Sequence, residues 1–424
     1  MNSPFSHANP HVLASIVAAS EAGCIEASED IVDDRGVKLL ARGNPVVAAL
    51  IERLMNRSLS RPIEQCLSAR DGIGSHDLVA ETERLLQGSP YLSALAGSEA
   101  RRLLRIVGSL PVEGSVSLLL TAARGRGTGF SHACLLMLAA GALAARCGCD
   151  EGSLQRTVLA ALLHDIGEQY VNPAYLSSRR ELTLDEWRHV SAHPRVGELF
   201  VRTNTRYPQR IAALVLAHHE RFDGTGYPGR ASASTLPDGS GFLIVAETMA
   251  GVLNDPVFAP ARAVLAMGLV FGEYPMGVIN HVVRVQRAFP VEGAADLDRE
   301  SAREGVVIVR EGLRRSRQAA QALEGLTEHE AERRSLARLA PLLGRLEAAF
   351  VSTGTAHYFD LVEQSADADA ELVLQLQLVP REVRWRMRSL ARDVAQDLIH
   401  FPVEARARFE PLLDALRGAP AGAS

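Results

Sequence analysis

A histidine-aspartate pair closes an apolar run at Leu163-His164-Asp165-Ile166-Gly167. Downstream, His218-His219-Glu220 closes a second apolar run and leads into Asp223-Gly224-Thr225-Gly226-Tyr227-Pro228. An adjacent imidazole and carboxylate at a helix end bring a nitrogen ligand and carboxylate oxygens to one small volume, a set that suits a hard or borderline divalent ion. An isolated pair would more simply be a feature of a helix C-terminus. This pair is not isolated, so a metal site is the first expectation, and it constrains the fold to helices whose ends converge.

The rest of the chain reads as follows. Residues 12–19 are apolar and helix-like, Asp34-Arg35-Gly36 between two short β-capable runs is a hairpin signal, and 46–54 has helical spacing. These predict a small αβ module over residues 1–75. Its surface carries no chemical motif, so scaffold, sensor and dimerisation roles stay open, with a second copy of the chain or a signalling protein as the partners it admits. From about 76 to 128 the pattern is helical, broken at Gly88-Ser89-Pro90, at Pro111 and in a glycine-rich stretch over 124–129. That stretch lacks the Lys-Ser/Thr ending and the preceding strand of a phosphate-binding loop and reads as a linker.

His132 then opens an apolar helix that runs to about Arg146, and 153–167 predicts another buried helix ending in His164 and Asp165. Leu182-Thr183-Leu184-Asp185-Glu186-Trp187 is a capping box with Leu182 placed to staple against Trp187, so a helix starts at Thr183. It carries His189 and His193 on one face. Pro194 kinks or breaks it, which aims His193 inward. Residues 208–220, with His218 and His219 at the end, and 242–253, with Glu247 in the middle, are two further apolar helices. A carboxylate embedded in Ile244-Val245-Ala246-Glu247-Thr248-Met249-Ala250 is costly unless it pairs or ligates, and Glu247 reads as a metal or a salt-bridge partner. Residues 76–260 thus form the metal-bearing helical domain. The remainder, 261–424, is helical, with Val383, Met387, Leu390, Val394 and Leu398 in one apolar stripe that reads as core.

Composition excludes several classes. A chain of 424 residues, against about 150 per domain, holds two or three domains. With 45 basic and 50 acidic residues and a net charge of -5, it has no overall attraction for a nucleic-acid polymer. The longest apolar run, 134–145, is much shorter than the roughly 20 residues of a spanning helix, so no membrane insertion is expected. Five scattered cysteines, Cys24, Cys66, Cys134, Cys147 and Cys149, fit a reducing cytoplasm.

His132, His164, Asp165, His193, His218, His219 and Glu247 lie on five successive helical segments. Their imidazoles and carboxylates suffice for two metals bridged by one carboxylate, and two ions about 3.5 to 4 Å apart can polarise a phosphoryl oxygen and activate an attacking water. The alternative is a set of separate capping and core histidines.

In these motifs, taken in order, residues 111 to about 255 resemble the HD-GYP phosphohydrolases, a branch of the HD superfamily whose members cleave cyclic di-GMP at a two- or three-metal centre. The segment from about 25 to 70 is similar, more weakly, to a small module often found ahead of such domains. The resemblance implies a mainly α fold: an HD-type helical bundle with a small N-terminal αβ module and a helical C-terminal extension. It implies two divalent ions, iron or manganese. Asp165 would bridge them, with His132, His164 and Glu247 on one and His193, His218 and His219 on the other. Asp165 and Tyr227 would take part in the chemistry, and Glu168, Arg221, Asp223, Gly226 and Tyr227 would surround the substrate, a cyclic dinucleotide or related phosphate ester. His189 matches no family ligand.

The departures matter as much. The family's lysine after His-Asp-Ile-Gly is Glu168 here, which reverses a charge where a phosphate should sit. Its last ligand, an aspartate, is Glu247, and the basic residues that follow are replaced by Pro256 and Ala259. A glutamate that supports a third metal in some members is Thr128, which leaves two metals as the ceiling. The expected activity is therefore a phosphodiesterase, weak on cyclic di-GMP. The alternative is a catalytically degenerate domain that binds a nucleotide or a protein partner in signalling.

Overall fold

The computed structural model describes residues 5–21, 25–125, 129–177, 180–253, 259–289, 299–327, 329–355 and 370–418. Thr128 and Pro256 lie outside them. Helices dominate, and the described strands are four short ones in two antiparallel ribbons. Two compact units are present: residues 1–251 with 272–288, and 252–271 with 289–424.

In the first unit, Asn9 Oδ1 accepts from the backbone N–H groups of His11 and Val12 and so caps the helix Pro10–Glu21. The hairpin signal at Asp34-Arg35-Gly36 becomes a ribbon of Ile31–Val32 on Lys38–Leu40, and Ile25–Ala27 pairs with Leu67–Ala69. The N-terminal helix buries Val12, Leu13 and Ile16 and packs on the helix Gly114–Gly125 and on the short 3-10 turn Ile166–Tyr170. The αβ residues and the helical domain therefore share one core. This differs from a separate module over 1–75, because the module's apolar face has no other surface to cover it.

Helix Gly129–Arg146 is 18 residues with mean hydropathy 1.3, long and apolar enough by length and composition to cross a membrane, but 78% of it is buried inside the fold. It packs on Glu151–Leu163, which starts at an N-cap whose Asp150 side chain accepts from Ser153 N. The helix expected over 153–167 stops at Leu163, and Ile166–Tyr170 is the separate turn. The capping box at Thr183 is present, with Thr183 Oγ1 accepting from Glu186 N and Glu186 Oε2 accepting from Thr183 N. Its helix, Leu184–Ser191, ends fully before a new one, His193–Asn204, with Pro194 in its first turn. Gln209–Ala217 and Ser240–Leu253 follow.

The second unit consists of Ala259–Gly268 and the long helices Arg299–Glu324, Glu330–Ser352, Ala370–Leu398 and Val403–Arg417. The stripe Val383, Met387, Leu390, Val394 and Leu398 is buried in it. The boundary is not at 260/261. Helix Ala259–Gly268 buries Ala263, Ala266 and Met267 and lies on Ala370–Leu398, whereas Met276–Gln286 returns to the first unit and lies on Pro90–Ala96. Both are short apolar helices, so their allegiance has no signature in their composition.

Candidate metal centre

His164 and His218 follow directly on helix C-termini, and His193 comes one residue after the end of Leu184–Ser191, so each stands near last-turn carbonyls that have no partner within the helix. His164 Nδ1 meets Ala161 O at 2.8 Å, His193 Nδ1 meets Val190 O at 2.8 Å, and His218 Nδ1 meets Val215 O at 2.6 Å. Each Nδ1–H donates to the carbonyl three residues back, so that in the neutral ring Nε2 carries the lone pair. All three rings are buried. Their Nε2 atoms meet in one volume around Asp165.

Asp165 stands in that volume and faces two ways. Its Oδ2 lies 2.9 Å from His164 Nε2 and 3.4 Å from His132 Nε2, while its Oδ1 lies 3.2 Å from His193 Nε2 and 3.5 Å from His218 Nε2. Glu247 Oε2 is 3.6 Å from His164 Nε2, and its Oε1 is 4.0 Å from His219 Nδ1. Two groups of donors could each hold an ion: His132, His164 and Asp165, and Asp165, His193, His218 and His219.

The donor chemistry fits a cation. His164 and His132 bring their Nε2 atoms to 3.3 Å, and His193 and His218 bring theirs to 3.1 Å. With the Nδ1 protons of His193 and His218 given to carbonyls, the second contact sets lone pair against lone pair when both rings are neutral, an arrangement that a shared positive ion would stabilise. Asp165 Oδ1 and Glu247 Oε2 are buried without a hydrogen-bond partner among the described residues, as vacant ligand atoms would be.

The electrostatics agree. Burial raises the Asp165 carboxyl, but the surrounding imidazoles outweigh it and hold the group well below its ordinary value. Burial pulls His132 down, yet the hydrogen bond and charge of Asp165 raise it to about 9. His218 and His219 are lowered, by burial first and then by neighbouring imidazoles. In the metal-free chain the raised His132 therefore contributes stability below about pH 6.5 that is lost as pH rises through about 9. Metal uptake must displace that proton, so Mn²⁺ affinity is expected to rise between pH 6.5 and 9. Titrations at three pH values read this directly, and an affinity flat across that window would contradict it.

The Gly-Tyr-Pro loop closes over one side of the centre. The Tyr227 ring stacks on His219 at 4.6 Å and 22°, and Trp187 meets Tyr227 edge-on at 5.5 Å. Glu220, almost fully buried, accepts from Gly229 N at 2.6 Å and Ala231 N at 2.9 Å and so ties the loop back to the histidine pair. Neither Trp187 nor Glu220 is marked in the sequence as a loop anchor; the one available signal is a carboxylate placed directly before a turn.

Three of the expected substrate contacts also have structural roles. The Arg221 guanidinium is buried, with Glu273 Oε1 3.7 Å from Nε and the Tyr274 ring 5.1 Å away. Asp223 Oδ1 accepts from Thr225 N and Thr225 Oγ1 and shapes the loop. Gly226 is a close approach of backbone to backbone, since a Cβ there would meet Glu220 Cα at 2.3 Å. Glu168 lies on the Ile166–Tyr170 turn, where burial and then the Asp165 charge push it up to about 7. His189 is exposed beside Tyr175 and takes no part.

Residues 121–261 match the HD domain family. The chain is similar to the cyclic di-GMP phosphodiesterase response regulator RpfG of Xanthomonas campestris, 34% identical over 116 residues, 27% of this chain and 31% of that protein. It is similar to a cyclic di-GMP phosphodiesterase of Pseudomonas aeruginosa, 28% identical over 183 residues, 42% of this chain and 43% of that protein. A third relative is the 3'3'-cGAMP-specific phosphodiesterase 3 of Vibrio cholerae, 44% identical over 69 residues, 16% of this chain and 15% of that protein. Each match spans less than half of the relative's own length. The helical core that gathers His164, Asp165 and the downstream histidine pair under a Gly-Tyr-Pro loop thus lies in the segment that matches the HD domain family, and its motifs are similar to those of the HD-GYP branch.

Proposed function

We propose that this centre is a metal-dependent phosphodiesterase acting on cyclic di-GMP or a related phosphate ester. The observation that carries the reading is the division of Asp165, whose two oxygens face two different histidine clusters. In this reading Asp165 would be shared by two divalent ions, iron or manganese. His132, His164 and Glu247 would hold one, and His193, His218 and His219 would hold the other. Ions so placed supply Lewis acidity to a phosphoryl oxygen and lower the pKa of an attacking water. The protein's own part is to fix the ligands, through Nδ1 bonds to three helix ends, and to exclude water on the loop side. Tyr227, held protonated by burial, keeps its Oη proton for a phosphate oxygen. The free thiols, Cys66 and Cys134 buried and Cys147 exposed, support a reducing cytoplasm as the compartment. The test is metal analysis of anaerobically purified protein coupled to a turnover assay on cyclic di-GMP. About two equivalents of iron or manganese with turnover are expected. Metal without turnover would put the second reading ahead, a nucleotide-binding or partner-binding domain that has lost catalysis.

Glu168 favours that second reading, and it gives a prediction. A like charge about 4 to 6 Å from a phosphate costs on the order of one kcal/mol or more. In the metal-free chain burial raises Glu168 to about 7, and cations bound beside it would draw it down and keep it charged at neutral pH. Glu168→Lys removes that charge and adds attraction, so cyclic di-GMP affinity should rise about tenfold at both pH 6 and pH 8. A metal-loaded Glu168→Lys protein that binds and cleaves no better than the parent at either pH would reject this account.

A further inference from the structure

The turn that follows Asp165 is gripped from its far side by the N-terminal residues. Tyr170 Oη donates to Glu64 Oε1 at 2.7 Å, and Asn9 Nδ2 donates to the Tyr170 carbonyl at 3.2 Å. The Phe5 ring meets Tyr170 edge-on at 5.4 Å. Phe200, from the helix that begins with His193, completes the cluster at 6.3 Å from Phe5 and 6.4 Å from Tyr170. The same turn packs on that helix through Gly167, where a Cβ would meet His193 O at 2.1 Å. The turn Ile166–Tyr170 is thus fixed on one side by a helix carrying a histidine of the centre and on the other by the αβ residues.

Glu64 is the unusual member. It is buried, and its Oε2 has no hydrogen-bond partner among the described residues. A carboxyl so placed costs stability, and a residue of apolar shape would pack there at less cost. Through its bond to Tyr170 it reaches the turn that follows Asp165.

We propose that Glu64 and Tyr170 are positioning residues, through which the N-terminal module holds the turn that delivers Asp165 between the two histidine clusters. This gives the module a place in the chemistry: the centre is completed by residues outside the HD domain. The proposal rests on the reading of Asp165 as a metal ligand.

The test uses the full chain and Mn²⁺ alone, with free ion read by electron paramagnetic resonance. Tyr170→Phe and Glu64→Leu are expected to weaken Mn²⁺ binding about tenfold each, in the range found when groups behind a metal ligand are removed. Glu64→Gln, whose amide oxygen can accept the same bond, restores binding close to the parent. The double variant Glu64→Leu/Tyr170→Phe is no weaker than either single, because both remove one link. Thr82→Ala, which removes the buried bond from Thr82 Oγ1 to Leu78 O inside the helix Ser75–Gly88, serves as a control for general loss of stability. Parental Mn²⁺ affinity in Tyr170→Phe, additive losses in the double variant, or an equal loss in Thr82→Ala would overturn the proposal. A parent that takes up no Mn²⁺ would overturn the metal-centre reading itself, and this proposal with it.

Discussion

Asp165→Ala leaves the protein folded and almost free of metal, with both positions emptied together. The variant removes the one side chain whose oxygens lie within 3.5 Å of four different imidazoles, so the two clusters lose the carboxylate they share and Glu247 alone is left beside them. Metal content should fall from about two equivalents to well below one, and turnover on cyclic di-GMP by about three orders of magnitude or more, since the ions supply several kcal/mol of charge stabilisation. His132→Ala, by contrast, should empty one position and leave His193, His218 and His219 with theirs. Elemental analysis of the two variants side by side separates a bridge from a terminal ligand. Full metal content in Asp165→Ala would reject the bridging role.

Gly167→Ala should damage the centre without touching a ligand. A Cβ at that position would sit 2.1 Å from His193 O and 2.7 Å from Gly197 N, both backbone atoms that cannot rotate away. Either the turn or the start of helix His193–Asn204 must move. Such overpacking costs about 3 kcal/mol or more, roughly 6 to 12 °C in melting temperature for a unit of this size. The movement carries His193 Nε2 away from Asp165, so metal affinity at the second cluster falls as well. A variant that melts with the parent and binds metal normally would show that the contact is looser than it stands here.

How far the sequence disclosed this depended on whether a feature is local. The capping box at Thr183, the proline that ends one helix before His193, and the histidines that close apolar runs are fixed by near neighbours, and each is where the residues indicated. The reason for Gly167 and Gly226 was hidden, because a glycine required by close approach reads the same as one required by a turn until the partner backbone is in place. The nearness of Arg221 to Glu273 was hidden too, because the two are distant in sequence and could not be paired beforehand. The sharing of one core by residues 1–75 and the HD helices, and the return of 272–288 to the first unit, are also long-range facts.

The three helix-end histidines have a consequence for how such a protein can change. Each ring is oriented by a carbonyl of its own chain three residues earlier, so its tautomer is inherited from helix geometry and asks nothing of surrounding side chains. Ligand orientation and substrate contact are therefore separately mutable. Positions such as 168 can exchange acid for base, and the loop over 223–228 can be remodelled, while the metal-binding scaffold stays intact. A chain built this way can drift from one phosphate ester to another, or from catalysis to ligand sensing, through substitutions that leave its ion-holding core unaltered.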